Sequence, residues 1–197
     1  MNIKHDKELV LKTGLKLFCT KGYNSLGVDE ICKVSGMTKG AFYNAFKSKE
    51  QFLVHSLLLY SENNLLRISK ELATNKQISA FDKLKSFYVK MFEAQVKNNF
   101  TGCFINNTMS ELGVTNELVS NVTTTEYNKI IETIIPTVIA AQNEGNLTND
   151  ISAKEITELL HATFYGLLTI AKSTRNTAQA INTFNTLYNN LKINKNE

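Results

Sequence analysis

Proline occurs once and glycine nine times in 197 residues, so very little in the chain interrupts a helix. Long stretches space their apolar residues three and four apart, the period of one helical face, and no run alternates apolar with polar or carries an Asn-Gly hairpin signal. The fold class that follows is all-α. A chain of this length holds either one large core or a small module plus a second core of ordinary size, and the charge pattern favours the second. Residues 1–50 carry nine lysines against five acidic residues, while residues 51–197 carry thirteen basic and thirteen acidic ones, so the whole formal charge of +4 lies in the first quarter. A protein tuned only for solubility need not segregate charge, whereas a small module that docks on a polyanion gains on-rate and affinity from it.

The stretch Val28 to Lys49, VDEICKVSGMTKGAFYNAFKSK, shows how such a module docks. Val28, Ile31 and Val34 stripe a short helix that Gly36 ends, and Thr38 is placed to cap a second short helix. Phe42 and Phe46, four apart, face inward, which leaves Lys39, Gly40, Tyr43 and Asn44 on the outer face. A cation and a phenol suit phosphate, an amide suits a base edge or a phosphate, and a glycine lets backbone approach closely. Lys47 and Lys49 add phosphate charge at the next helix start. The pattern predicts a helix-turn-helix over DNA. Aromatic residues at helical spacing also make ordinary core, and lysines beside them an ordinary solvated face; the segregated charge is what separates the two readings.

Val10, Leu11, Leu15 and Phe18 predict a first helix closing at Lys21-Gly22, which completes a three-helix head. Ser48, with Gln51 three residues on, forms a capping-box pattern, and Phe52, Leu53, Leu57 and Leu58 carry a fourth helix to about residue 73. The expected organisation is a DNA-binding domain over residues 1–48 and a helical regulatory and dimerisation domain over 49–197, with the helix of about 49–73 linking them.

These residues carry a resemblance. LKLFCTKGY followed by GVDEICKVSGMTKGAFYNAFKSKEQFL resembles the DNA-binding head of the TetR/AcrR family of bacterial regulators over residues 7–58 without a gap. NEGNLTNDISAKEITELLHATFYGLLTIAKS is similar to that family's penultimate stretch, where a Gly-rich turn precedes a dimerisation helix. The resemblance implies that Thr38, Lys39, Gly40, Tyr43 and Asn44 stand where members touch DNA, and that Lys49 stands where the fourth helix meets phosphate. The family usually has Thr or Ser just before the second helix to cap it and bind phosphate. Leu26 and Gly27 occupy that corner here, with Ser25 as the substitute.

In the body, stripes at Leu84, Phe87, Met91 and Gln95 and at Ile130, Ile131, Ile134 and Val138 either line a ligand pocket or are plain core. The candidate pocket residues are Tyr88, Met91, Gln95, Tyr127, Ile131, His161 and Tyr165. Pro136 should kink or end its helix. Ile156, Leu160, Phe164, Leu167 and Ala171, then Ile181, Phe184, Tyr188 and Leu191, read as partner helices of a homodimer. Such a dimer places two heads in successive major grooves about 34 to 36 Å apart on an inverted-repeat operator. The alternative for these stripes is packing within one chain.

Three cysteines without a CxxC pair argue against a disulfide framework or a zinc site, and the sequence implies no metal and no cofactor. No stretch reaches the length of an apolar membrane span, and MNIKHDKELV lacks a signal-peptide core, so the expected location is cytoplasmic. Asn106, Asn121 and Asn146 then begin only chance Asn-x-Thr triplets. Cys19 and Cys32 read as core. Cys103 follows Thr101-Gly102 and precedes the helical run FINNTMSELG, so its sulfur lies either at a helix N-terminus that favours thiolate or in the core. GCFINNTMSELG and FYNAF resemble the NemR-type branch of the family, which implies a cysteine at this place that electrophiles or oxidants modify to release DNA. Lys172 and His161 could stabilise a thiolate if they face Cys103, but a lone His on an apolar helix is more often core. The resulting expectation is a regulator that is not an enzyme, most simply a repressor released by a small-molecule or electrophile inducer. The alternatives are a cysteine-dependent enzyme, for which no orienting group or oxyanion motif appears, and a nonspecific DNA-binding protein.

Overall fold

The computed structural model describes residues 6–73 and 77–193. Met1–His5, part of the segment read for a signal peptide, lie outside the described residues. Among the described residues the secondary structure is nine α-helices: α1 (Lys7–Lys21), α2 (Val28–Ser35), α3 (Lys39–Phe46), α4 (Lys49–Ala73), α5 (Ala80–Lys97), α6 (Phe104–Leu112), α7 (Glu117–Asn143), α8 (Ala153–Thr174) and α9 (Thr177–Asn190). The chain divides into two compact units, Met1–Asn64 with Cys103–Tyr127 and Leu65–Gly102 with Asn128–Glu197.

In the first unit, α1 begins where the Asp6 carboxylate accepts the amides of Glu8 and Leu9, and ends at Gly22 with φ +75°. α2 starts at Gly27 without a side-chain cap, so Ser25 does not cap in place of the missing Thr or Ser. The expected stripe on α2 is also corrected. Ile31 is buried, but Val34 is 54% exposed and Cys32 takes its place inside. Steps of three turn back by about 60° each, so Val28 and Val34 lie about 120° apart and cannot share one narrow contact. α3 follows its prediction, with the Thr38 hydroxyl accepting the Ala41 amide and with Phe42 and Phe46 buried.

Half of the box at the start of α4 forms. The Gln51 amide donates to Ser48 Oγ, while the Ser48 amide goes to the Phe46 carbonyl. Leu58, expected inside, is 43% exposed, since its neighbour Leu57 holds the inward direction. The centre of this unit is Phe52, whose ring lies 5.8, 5.2 and 4.7 Å from those of Phe18, Phe42 and Phe46. Gly14 on α1 leaves the room: a Cβ there would stand 2.2 Å from the Phe52 ring. Phe104 of α6 stacks on Phe18 and meets Tyr60 edge-on, so α6 belongs to the same core. Cys32 is buried as expected, whereas Cys19 is only partly so.

The second unit is built on aromatic rings from α5, α8 and α9. Tyr88 and Phe92 pack against Phe164 and Phe184, and Tyr188, its phenol pushed up in pKa by burial, donates to the Phe81 carbonyl at 2.7 Å. α8 opens on a complete capping box between Ser152 and Glu155. Of the nine residues expected to meet a partner chain, eight lie inside this core instead: Ile156, Leu160, Phe164, Leu167, Ala171, Phe184, Tyr188 and Leu191 are buried, and Ile181 is partly so. α7 does not end at Pro136. Pro136 and Glu132, whose carbonyl loses its donor, are both on an exposed face where water replaces the missing bond.

Candidate nucleic-acid interface and sensor cysteine

Of the predicted DNA-contacting residues, Thr38, Lys39, Gly40, Tyr43, Asn44 and Lys47 are all exposed along α3 and its two ends. Thr38 is the N-cap, and its side chain is already turned toward the free amides of the first turn. Gly40 has open space where a Cβ would be. Tyr43 packs its ring edge against Phe42, which stiffens it while leaving it 47% exposed. Lys39 is held by the Asp29 carboxylate on α2 at 2.7 Å, an exposed pair that any phosphate must compete with. Lys47 has φ +65° and closes α3, directing the chain into α4. Ser25 is exposed on the α1–α2 turn.

Lys49 is placed differently. Its ammonium donates to the carbonyls of Tyr23 and Leu26 at 2.9 and 3.0 Å and lies 3.9 Å over the Tyr23 ring, and partial burial lowers its pKa. Two of its three N–H donors thus brace the α1–α2 turn.

Cys103 is the N-cap residue of α6 and is 7% exposed. The Tyr60 hydroxyl donates to its sulfur at 3.6 Å, and Tyr60 is raised well above the ordinary phenol pKa by burial and by this thiol. Just before it, Asn99 and Phe100 take positive φ, as does Gly102, whose amide is accepted by Gln95. Arg175 ties this loop down: its guanidinium donates to the Asn99 carbonyl and lies over the Phe100 ring.

The predicted pocket residues divide. Tyr88, His161 and Tyr165 come together in the second unit, with the Tyr88 hydroxyl 3.4 Å from His161 Nδ1 and the His161 and Tyr165 rings 4.6 Å apart. Ile131 and Gln95 are buried and Met91 is partly so, Gln95 being committed to the loop before Cys103. Tyr127 is half-buried in the first unit, and Lys172 is exposed on α8. Among the described residues no group of three His, Cys, Asp or Glu is placed to hold a metal ion. Burial holds the His161 imidazole down at about 3 from an ordinary 6.5. The unfolded chain therefore binds a proton that the folded chain refuses between those values. His161 withholds no stability above pH 6.5 and costs more the further the pH falls below it. Urea unfolding is expected to show about 2 kcal/mol less stability at pH 5 than at pH 7 from this residue, and His161→Phe is expected to remove that slope. An unchanged acid limb in the variant would place the slope elsewhere.

Sequence reasoning did not find Asp29, Gly14, Phe52's central position, Arg175 or Glu111. None of these has a local signal, because each partner lies across a turn or far along the chain.

An all-helical chain with an exposed, capped second helix in its head and a separate aromatic-cored body defines a helix-turn-helix regulator. The chain matches the family "Bacterial regulatory proteins, tetR family" over residues 10–55 and "Tetracyclin repressor-like, C-terminal domain" over residues 80–187. It belongs to the TetR family of transcriptional regulators and is not an enzyme. The transcriptional repressor DhaR of Mycobacterium sp. strain GP1 is 23% identical over 86% of this chain and 84% of its own length. The uncharacterized regulator YuxN of Bacillus subtilis is 46% identical over 34% of this chain, a match that spans only 23% of YuxN. The repressor NemR of Escherichia coli K12 is 40% identical over 27% of this chain and 28% of its own. In fold the chain is similar to the regulatory protein TetR from Rhodobacter sphaeroides, with a TM-score of 0.84 over 94% of this chain and 98% of that one at 21% identity. It is likewise similar to the reduced form of E. coli NemR, at 0.82 over 95% and 97% and 22% identity. No helix among the described residues is long and apolar enough to cross a membrane.

Proposed function

We propose that this protein is a cytoplasmic, dimeric repressor that binds an inverted-repeat operator and is released by a small-molecule or electrophile inducer. Residues 1–48 serve as the DNA-binding part and residues 49–197 as the regulatory and dimerisation part. Thr38, Lys39, Gly40, Tyr43, Asn44 and Lys47 meet the duplex, with Ser25 beside them, and Lys49 acts there mainly by bracing the turn. The observation that carries this reading is the row of small, basic and hydrogen-bonding side chains left exposed on α3, in the quarter of the chain that holds all its net charge. DhaR and NemR are both named as repressors, which supports the direction of control.

The exposed line Leu159, Gly166 and Ile170 on α8 supports dimerisation through the last two helices. The three residues are seven and four apart, which is one helical face, and they remain apolar in water when the opposite face is already buried. An inducer weakens operator binding only by favouring a body conformation in which the two heads no longer match the operator spacing, and α4, one unbroken helix from Lys49 to Ala73, is the natural lever.

A cysteine sensor is the second part of the reading. Cys103 stands at a helix N-terminus with a tyrosine hydroxyl on its sulfur, so a polar adduct there must displace that contact and the start of α6. The test is binding of the purified protein to the DNA upstream of its own gene at two salt concentrations, before and after N-ethylmaleimide. Salt-sensitive binding to one inverted repeat that treatment abolishes in the wild type and spares in Cys103→Ser is the expected result. Loss of binding in both proteins would remove Cys103 as the sensor, and equal binding to random duplex would overturn the specific-regulator reading.

A further inference from the structure

α6 reaches the head with a carboxylate. Glu111 Oε2 accepts the Tyr23 amide at 2.9 Å and Oε1 accepts the Asn24 amide at 2.8 Å, so one side chain takes two successive donors of the α1–α2 turn, 88 and 87 residues away in sequence. The turn is shaped for this. Gly22 enters it with φ +75°, and a Cβ on Gly22 would stand only 3.0 Å from the same carboxylate. From the other side Lys49 on α4 holds the carbonyls of Tyr23 and Leu26. The turn therefore carries one charged residue from α6 on its donors and one from α4 on its acceptors, and all of these groups lie in the first compact unit. Beyond α6 the link is repeated, where the Asn116 amide donates to the Glu50 carboxylate on α4 at 2.5 Å.

Cys103 and Glu111 are the two ends of this arrangement. Cys103 is the N-cap and Glu111 the penultimate residue of a helix of nine residues, about 12 Å apart along a rod that transmits displacement with little loss. We propose that Glu111 is a positioning residue for operator binding: its carboxylate fixes the α1–α2 turn that sets α2 and α3, and a displacement of α6 withdraws it and frees that turn. This rests on the reading that α2 and α3 bind an operator. It makes a prediction opposite in sign to simple electrostatics. Removing a negative charge beside DNA should strengthen binding by lowering repulsion, whereas removing this one releases two backbone donors and should weaken it.

The experiment uses the full-length protein and a duplex that the wild type enriches from a random pool. Glu111→Gln is compared with Glu117→Gln, which removes the same charge from an exposed site at the start of α7. Glu111→Asp, which keeps the charge but is too short to reach both amides, serves as the second variant. Hydrogen exchange at Tyr23 and Asn24 is measured in the free proteins. Glu111→Gln is expected to lose operator affinity about tenfold, the scale of one charge-assisted hydrogen bond. Its two amides should exchange about tenfold faster or more, while Glu117→Gln binds as tightly as the wild type or more so. Glu111→Asp should fall between, and it supplies the same comparison if the glutamine variant does not fold. Glu111→Gln binding as tightly as Glu117→Gln, or keeping full protection at Tyr23 and Asn24, would overturn the proposal. A wild type that enriches no duplex would instead overturn the operator reading and the proposal with it, a failure recognisable without any variant.

Discussion

Alanine at position 52 is expected to remove about 3–5 kcal/mol of stability and to abolish operator binding at ordinary temperature. Phe52 is fully buried and is the residue on which α1, α3 and α4 converge through Phe18, Phe42 and Phe46. Its loss leaves a void that cannot close easily, because Gly14 has no side chain to move into it. A small head has little else to rely on, and the loss is comparable with the whole stability of a modest domain. Phe52→Leu should cost less, at about 1–2 kcal/mol, and keep binding. Urea unfolding followed by circular dichroism reads both values, and a Phe52→Ala protein within 1 kcal/mol or so of the wild type would show that the head's core lies elsewhere.

Arginine at position 166 is expected to turn the proposed dimer into a monomer and to lower operator affinity by about 100-fold or more, the scale on which joining two binding modules raises avidity. Gly166 lies between Leu159 and Ile170 on the exposed face of α8, and a Cβ there would meet nothing within 4 Å. In a two-fold contact each substitution appears twice, so two arginines would face each other where two helices approach closely. Within one chain the same substitution points to solvent and should leave unfolding unchanged, apart from what the lost dimer itself contributes. Sedimentation and operator titration measure the two effects together. A Gly166→Arg protein that remains dimeric would move the interface to another face.

How much of this was legible in the sequence depended on range. The cap at Thr38, the inward pair Phe42 and Phe46 and the exposure of Lys39, Tyr43 and Asn44 were readable, because a cap and its amide lie three residues apart and a helical face repeats every three or four. The stripe through Val34 was misread because spacing by three alone drifts around the helix, and eight residues are too few for the drift to show. The apolar faces of α8 and α9 were found, but their direction was not. Periodicity states that a face is buried and cannot state by what, and here those faces are covered by α5 and by each other within one chain. The exposed line proposed for a partner chain, Leu159, Gly166 and Ile170, is less regular than the stripe expected there.

By itself the sequence determined the helical class, the charged head and the chemistry exposed on α3, because composition, capping and helical period are properties of neighbours along the chain. Tertiary structure alone decided that Lys49 braces a turn, that Tyr60 covers Cys103 and that Glu111 holds Tyr23 and Asn24 from 88 and 87 residues away. A hydrogen bond acts over about 3 Å of space whatever the separation in sequence, so these contacts exist only once the chain has folded.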